Sequence, residues 1–437
     1  MSEHPRTIRV AAVDLNGVMR GKRVPASYAK KLDKGAVRLP FSVLNVDIHG
    51  EDIADSPLVF ETGDADGILH PTGRGPVPMP WLQTPSELHP MVLHHDDGAP
   101  FLGDPRHALQ EVLDRYGARG WQVMAATELE FYLVDDSGET IAPAHSPLTG
   151  KPMHKADILS LDALDAFDAF FTDLYEAAAA MDIPAQAAIS ESGAGQFEIN
   201  LNHGDAMKAA DDAWLFKILV RGMARKHGMA ATFMAKPFAD DAGNGMHVHF
   251  SVVDAEGRNI FDDGRPDGTP ELHHAIAGCL EAMADSTLIF APHANSYARM
   301  VPGAHAPTGI SWAHENRTAA IRIPGGAPAA RRIEHRVAGG DINPYLMLAV
   351  VLGAALVGIE DGHMPPAPIT GNAYDLDLPQ LPTDWHTAIE MFGTSDMIRR
   401  IFPDELIRNM VLTKHQERHK ITDLNRQQQT EVYLEAV

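Results

Sequence analysis

Thr127-Glu128-Leu129-Glu130-Phe131-Tyr132-Leu133-Val134 is the stretch on which the fold turns. Side chains alternate along a strand, so residues two apart share a face. Glu128 and Glu130 therefore point one way, and Leu129, Phe131 and Leu133 the other. Three further segments follow the same pattern. In Gln196–Asn202, Gln196, Glu198, Asn200 and Asn202 oppose Phe197, Ile199 and Leu201. In Met246–Val252, His247, His249 and Ser251 oppose Met246, Val248, Phe250 and Val252. In Arg332–Val337, Arg332, Glu334 and Arg336 oppose Ile333, His335 and Val337.

Four antiparallel strands with wet outer faces would explain any one of these segments. Solvated faces, however, mix Lys, Thr, Ser and Gln, whereas these polar faces are dominated by Glu, His and Arg and carry no Lys. That composition suits a sheet or partial barrel lined with ligands. Glu128 and Glu130 on one face repel each other, and Glu191, Glu198 and Glu334 add to the cost of burial unless cations neutralise them. Five carboxylates with one imidazole favour hard cations such as Mg2+ or Mn2+ over zinc. Arg299, Arg317, Arg322, Arg332 and Arg336 add forks that match phosphate and carboxylate oxygens. Metals, arginines and a carboxylate cage together describe a phosphoryl-transfer site.

Working outward, the long amphipathic stretches begin at Asp104. Helices are expected over 105–118, 205–228, 270–287, 343–361 and 396–418, and from a Ser160 cap to about Asp182, where Leu164, Phe167, Phe171 and Leu174 repeat at helical spacing. Residues 1–100 are richer in Gly, Pro and turn pairs, with β-like runs at Ile8–Val13 and Ser42–Ile48 and no regular structure over Pro71–Pro85. The expected division is 1–100 and 101–437, within an α+β class.

The bulk properties exclude some functions. A net charge of −23 repels phosphate backbones and anionic lipid, so nucleic acid and membrane are poor partners. The lone Cys279 allows no intrachain disulfide and fits a reducing cytoplasm; its apolar helical setting marks it as core. The N-terminal MSEHPRTIRV has no apolar signal region. The longest apolar run, Tyr345–Ile359, is too short and too rich in Gly and Ala to span a bilayer and reads as a buried helix. There is no Walker A sequence, and the histidine pairs His94-His95 and His273-His274 read as surface.

Taken in order, six motifs resemble the glutamine synthetase family. They are Glu128-Leu-Glu130-Phe, Glu191-Ser-Gly-Ala-Gly-Gln-Phe-Glu198, Gly243-Asn-Gly-Met-His247-Val-His249, Asn295-Ser-Tyr-Ala-Arg299, Asn316-Arg317-Thr-Ala-Ala-Ile-Arg322 and Arg332-Ile-Glu334-His-Arg336. The resemblance runs from about Asp104 to the C-terminus and more loosely before it. It implies an N-terminal β-grasp domain, a catalytic domain with a bifunnel site, and stacked rings of subunits, a dodecamer of two hexamers. Carried over motif by motif, it implies that Glu130, Glu191 and Glu198 hold one metal and Glu128, His247 and Glu334 another, with two or three ions per site. His249 and Ser251 would contact the nucleotide. Arg299 and the Gly243 backbone would hold the substrate carboxylate. Arg317, Arg322 and Arg332 would bind phosphate, and Arg336 would face the γ-carboxyl being phosphorylated. Asp47 would serve a neighbouring subunit's site, where it helps bind and deprotonate the amine. The implied reaction uses ATP to convert glutamate to γ-glutamyl phosphate, which an amine then attacks.

The chain departs from the ammonium-using pattern. After Val301-Pro302-Gly303, His305 stands where a flap glutamate is expected. A neutral imidazole is a poor ammonium ligand but a competent base for a larger amine. Ala329 replaces an expected phosphate-facing Lys. Asp14-Leu-Asn-Gly-Val-Met-Arg-Gly-Lys-Arg-Val-Pro25 and Arg336-Val-Ala-Gly-Gly-Asp-Ile-Asn-Pro-Tyr345 resemble the branch that joins glutamate to organic amines, such as the γ-glutamylpolyamine synthetases. Asn372-Ala-Tyr374 resembles a loop whose Tyr is adenylylated in some relatives. The resulting expectation is a glutamate–amine γ-ligase, with ammonium-using glutamine synthetase as the alternative. A catalytically inert ring would need lost ligands, and all six are present.

Overall fold

The computed structural model describes residues 5–154, 157–301, 306–434 and 436–437. Among them, two sheets organise the chain. The first contains β1 (Thr7–Val13), β2 (Met19–Pro25), β3 (Arg38–Pro40), β4 (Asp66–Pro71), β5 (Val77–Pro78) and β6 (Glu87–His94). Its order is β2-β1-β6-β4-β3, with β5 on β6; β1 and β6 run parallel and the other pairs antiparallel. β1 is buried on both faces. Ile8, Val10 and Ala12 pack into a core of residues 8–101, while Ala11 and Val13 join the main core of the protein.

The second sheet contains β7 (Gln122–Asp135), β8 (Ala142–Pro143), β9 (Ala185–Ser190), β10 (Gln196–Asp205), β11 (Ala230–Thr232), β12 (Met246–Val253), β13 (Trp312–His314), β14 (Ile321–Ile323) and β15 (Ile333–His335). Its path is β13-β14-β15-β12-β7-β10-β9, with β8 and β11 paired to the far end of β7. The expected pairings are antiparallel, and all four polar-faced segments lie side by side. The apolar faces supply the core: Leu129, Phe131, Leu133, Phe197, Ile199, Val248 and Phe250 are all buried. Of Arg332–Val337, only Ile333–His335 forms ladder pairs.

Helices cover the apolar side. Asp104 caps Pro105–Gly117, Asp205 caps Ala206–Lys226, Thr269 caps Pro270–Ala282 and Asn343 caps Pro344–Asp361, each accepting a backbone N–H of the first turn. Helix Pro344–Asp361 is long and apolar enough to cross a membrane, yet 83% of it is buried inside the protein. Cys279 packs against it and lies within hydrogen-bonding reach of Val351 O, as a core residue.

Several expectations need correction, among them the irregular reading of Pro71–Pro85, where Val77–Pro78 pairs with Leu88 and Glu87. The helix from Ser160 is two pieces, Leu161–Asp165 and Asp168–Ala180, bent at Phe167. The bend lets Phe167 and Phe171 both pack edge-on against Phe197, with ring centroids 5.4 and 5.1 Å away. The 396–418 helix divides into Asp396–Arg399 and Asp404–Ile421, because Pro403 cannot continue a helix and biases the residue before it toward extended backbone. Ser42–Ile48 is no strand: Phe41–Asn45 forms a 3-10 turn, with the Phe41 ring packed at a tilt against His95 and Phe101. The paired histidines are half-buried, and His94 sits edge-on between His70 and His107.

Candidate active site

Strand register decides which ionisable groups meet. Glu128 lies opposite His247 on β12 and Asn200 on β10. Glu130 lies opposite Glu198. Glu334 lies opposite His249 on one side and Arg322 on the other. These cross-strand neighbours share a face, so the alternation read from single strands becomes one continuous polar surface.

The contacts follow. Glu128 accepts from His247 Nδ1 and His249 Nε2, both at 3.0 Å. Burial opposes ionisation of Glu128, but the two imidazoles outweigh it and hold the carboxyl well below its usual range. Glu334 accepts from Arg322 Nη1 at 2.7 Å and also from Arg336. Burial again opposes its charge, and Arg336 followed by His247 and His249 lowers it below the ordinary value. The other carboxylates behave oppositely. Burial pushes Glu130 up to about 7, with Glu191 adding to the rise against the opposing pull of Arg299. Burial, then repulsion from Glu128, Glu130 and Glu191, pushes Glu198 up to about 9.

Among the described residues, two groups of three bring one ligand atom each within 4.8 Å of one another: Glu128, His247 and Glu334, and Glu130, Glu198 and His247. The first is the triad expected from the motifs. The second contains two of its expected members with His247 as the third; Glu191 lies in the wall of the same cavity. The donor set fits hard divalent cations. Carboxylate oxygens dominate, a single imidazole is shared, and Glu130 and Glu198 face each other where burial outweighs the pull of Arg299 on Glu130.

Two glycine turns fix the cluster's edge. Gly193 N donates to Gln196 Oε1 at 2.9 Å, and Gln196 Nε2 donates to Gly243 O at 3.0 Å and Asn244 Oδ1 at 2.9 Å. Gly245 N donates to Glu130 Oε2 at 2.6 Å. A side chain at Gly193 would overlap the Tyr132 hydroxyl, so this turn requires glycine.

The polar surface floors two cavities. One, of about 490 Å3, is lined by Glu128, Glu130, Glu191, Glu198 and His247, with Gly243, Arg299, Arg317 and Arg336 around them. The other, of about 400 Å3, takes in His249, Ser251, Arg332 and Ala329. Glu128 and Asn200 line both. Buried Arg299 is held by Val337 O at 2.7 Å, and Arg332 Nε lies 3.3 Å from His249 Nδ1. Arg322 reaches the cluster through Glu334.

Asp47 is not brought to this surface. It is fully buried in its own chain, where Oδ1 accepts from the His49 and Glu51 backbones at 3.0 Å and Oδ2 accepts from Gln416 and Lys420. His305 lies outside the described residues. Sequence reasoning gave no role to Asn200, although its place on the Glu198 face was legible. It also missed Thr318, Ile158 and Leu159 in the larger cavity, and it noted Tyr374 only for its resemblance to a loop modified in some relatives, whereas Tyr374 lines that cavity.

Residues 102–433 match the family described as glutamine synthetase, catalytic domain. The chain belongs to the glutamine synthetase family. Gamma-glutamylputrescine synthetase PuuA of Escherichia coli (strain K12) is 38% identical to it over 413 residues, which cover 92% of this chain and 86% of that one. Glutamate–isopropylamine ligase of a Pseudomonas species is 34% identical over 93% of this chain and 90% of its own. A solved structure described as apo GmaS without ligand superposes with a TM-score of 0.84 at 26% identity, covering 99% of this chain and 97% of that one. As a member of the glutamine synthetase family, the protein is an ATP-dependent carbon–nitrogen ligase. Enzymes of the family use ATP and divalent metal ions.

Proposed function

We propose that this enzyme joins the γ-carboxylate of glutamate to an organic amine, a polyamine or monoamine, through γ-glutamyl phosphate. The observation that carries the reading is the meeting of two cavities at Glu128, one walled by carboxylates and arginines and the other by His249, Ser251 and Arg332. Such a junction lets a carboxyl substrate and a nucleotide meet end to end. Preference for an organic amine over ammonium rests on sequence identity: the relatives named for putrescine and isopropylamine are 38% and 34% identical to this chain, whereas glutamine synthetases that match over nine-tenths of it are 27–30% identical.

In this reading Glu130, Glu191 and Glu198 hold one Mg2+ or Mn2+ and Glu128, His247 and Glu334 another, which supply charge neutralisation between two anions. Arg299 and the Gly243 backbone orient the α-carboxylate of glutamate. Arg317, Arg322 and Arg332 bind the phosphates, with His249 and Ser251 beside the nucleotide. A γ-carboxylate oxygen attacks the terminal phosphorus of ATP, ADP leaves, and Arg336 balances the charge on the acyl phosphate. The amine nitrogen then attacks the acyl carbon, phosphate departs with the C–O electrons, and the nitrogen gives up a proton, for which His305 of the flap motif would be the base. Asp47 would serve a neighbouring subunit's site, which requires that Gln416 and Lys420 release it from the buried position it holds in its own chain. The remaining proposals are a β-grasp N-terminal domain over residues 1–100 followed by the catalytic domain 101–437, a dodecamer of two stacked hexameric rings, and residence in the cytoplasm.

The test is phosphate release from ATP and glutamate with putrescine, spermidine, small alkylamines or ammonium, coupled to mass detection of the γ-glutamylamide. Preferential use of ammonium would sink the reading and restore ordinary glutamine synthetase.

A further inference from the structure

Ile158 and Leu159 are large aliphatic side chains left 59% and 70% exposed. Large exposed apolar groups that adjoin a site mark a surface that something covers. Both residues line the 490 Å3 cavity that holds Glu191 and Glu198, and Ile189 continues their apolar wall.

Their position is built. Leu159 N donates to Ser190 O at 2.8 Å and Ser160 N to Ser190 Oγ at 2.8 Å, while Ser190 Oγ donates to Asp157 O at 2.7 Å. Ser190 ends β9 and directly precedes Glu191, so the apolar pair is pinned to the strand end that carries a carboxylate of the cluster. Leu159 holds a left-handed backbone, φ +60°, a conformation a leucine rarely adopts, and it presents its side chain to the cavity rather than to the core. Among the described residues lining this cavity, every carboxylate is one of the four glutamates of the cluster. Ile158, Leu159 and Ile189 give one part of this otherwise polar lining a hydrocarbon surface, open to whatever extends from the reacting centre.

We propose that Ile158 and Leu159 form the surface on which the hydrocarbon chain of the amine lies, so that the enzyme selects alkylamines of several carbons over methylamine. This rests on the amine-ligase reading above. Burying each methylene against such a wall is worth about four-fold in binding.

The experiment measures kcat/KM for methyl-, ethyl-, propyl- and butylamine by γ-glutamylamide formation, with the wild type, the double variant Ile158→Ser/Leu159→Ser, and Leu159→Gly. Glycine accepts φ +60° without strain, so Leu159→Gly removes the side chain while favouring the fold. The wild type is expected to gain about three- to four-fold per methylene. The double variant should lose most of that slope and Leu159→Gly about half, with the KM for glutamate unchanged in both. A flat series in the wild type, or an undiminished slope in both variants, overturns the proposal and leaves the amine-ligase reading standing. Turnover with ammonium alone removes that reading and the proposal with it.

Discussion

Replacing Glu198 by Gln should stabilise the metal-free protein and weaken its response to metal. The carboxyl is pushed from an ordinary 4.5 to about 9 by burial and by its glutamate neighbours, so the metal-free fold keeps it protonated at neutral pH while the unfolded chain does not. The folded state then binds the extra proton, and wild-type stability falls as pH rises from about 4.5 toward 9. At roughly 1.4 kcal/mol per pH unit the whole gap would be several kcal/mol at pH 8. Because four glutamates share the repulsion, about 2 kcal/mol is the expected part that a neutral isostere relieves. Unfolding entropy of about 2.1 cal/mol/K per residue makes that a rise of roughly 2 °C in Tm for a chain this long. The amide oxygen still accepts from Asn200 Nδ2, which donates to Glu198 Oε1 at 3.2 Å, so the change isolates charge from shape. Differential scanning fluorimetry in excess EDTA should show the variant ahead at pH 8 and level with the wild type near pH 5. Added Mg2+ or Mn2+ should raise the wild type more than the variant. A variant less stable at pH 8 without metal, or an equal gain from metal in both proteins, would refute the idea that the cluster's repulsion is what a cation relieves.

Metal binding should release one proton below about pH 9, from Glu198, and a second below about pH 7, from Glu130, because both must ionise to bind; calorimetry in buffers of different ionisation enthalpy reads the number directly. Gly193→Ala forces a methyl into Tyr132 and displaces the turn that carries Glu191, so a loss of roughly 1–3 kcal/mol in thermal stability and a larger fall in kcat/KM are expected. Lys414→Met leaves Glu417, whose Oε2 lies 2.7 Å from Lys414 Nζ with both side chains fully buried, without its counter-charge; a loss of about 3–5 kcal/mol is expected in denaturant unfolding, recovered in part by Lys414→Met/Glu417→Leu.

Much of the site was legible because one physical rule reached it. Alternation along β7, β10 and β12 placed Glu128, Glu130, Glu198, His247 and His249 on one face, and repulsion between them implied cations. Alternation is silent about register, however, so it could not tell that Glu198 faces Glu130 or that His247 sits between two carboxylate pairs. That placement is what makes His247 a member of both close groups. Ile158 and Leu159 carried no periodic signal, since their exposure arises from hydrogen bonds to Ser190, far along the chain. The split at Pro403 was available from proline stereochemistry, whereas the bend at Phe167 depends on where Phe197 lies.

The two halves of the cluster are neutralised by different means, and this bears on how the site works. On the Glu128–Glu334 side the protein supplies its own positive partners: His247 and His249 for one carboxylate, Arg322 and Arg336 for the other. Both carboxylates are held ionised there, and a cation must compete with those partners for the same oxygens. On the Glu130–Glu198 side burial and mutual repulsion win, and protons occupy the place of positive charge. A cation there displaces protons rather than side chains. A cation held on the first side would compete with His249, Arg322 and Arg336 for these oxygens, and those are the groups that the proposed reaction assigns to nucleotide and acyl phosphate. Metal entry and the availability of the phosphate-binding side chains are thus coupled through shared hydrogen bonds. On the Glu130–Glu198 side pH sets the competition instead.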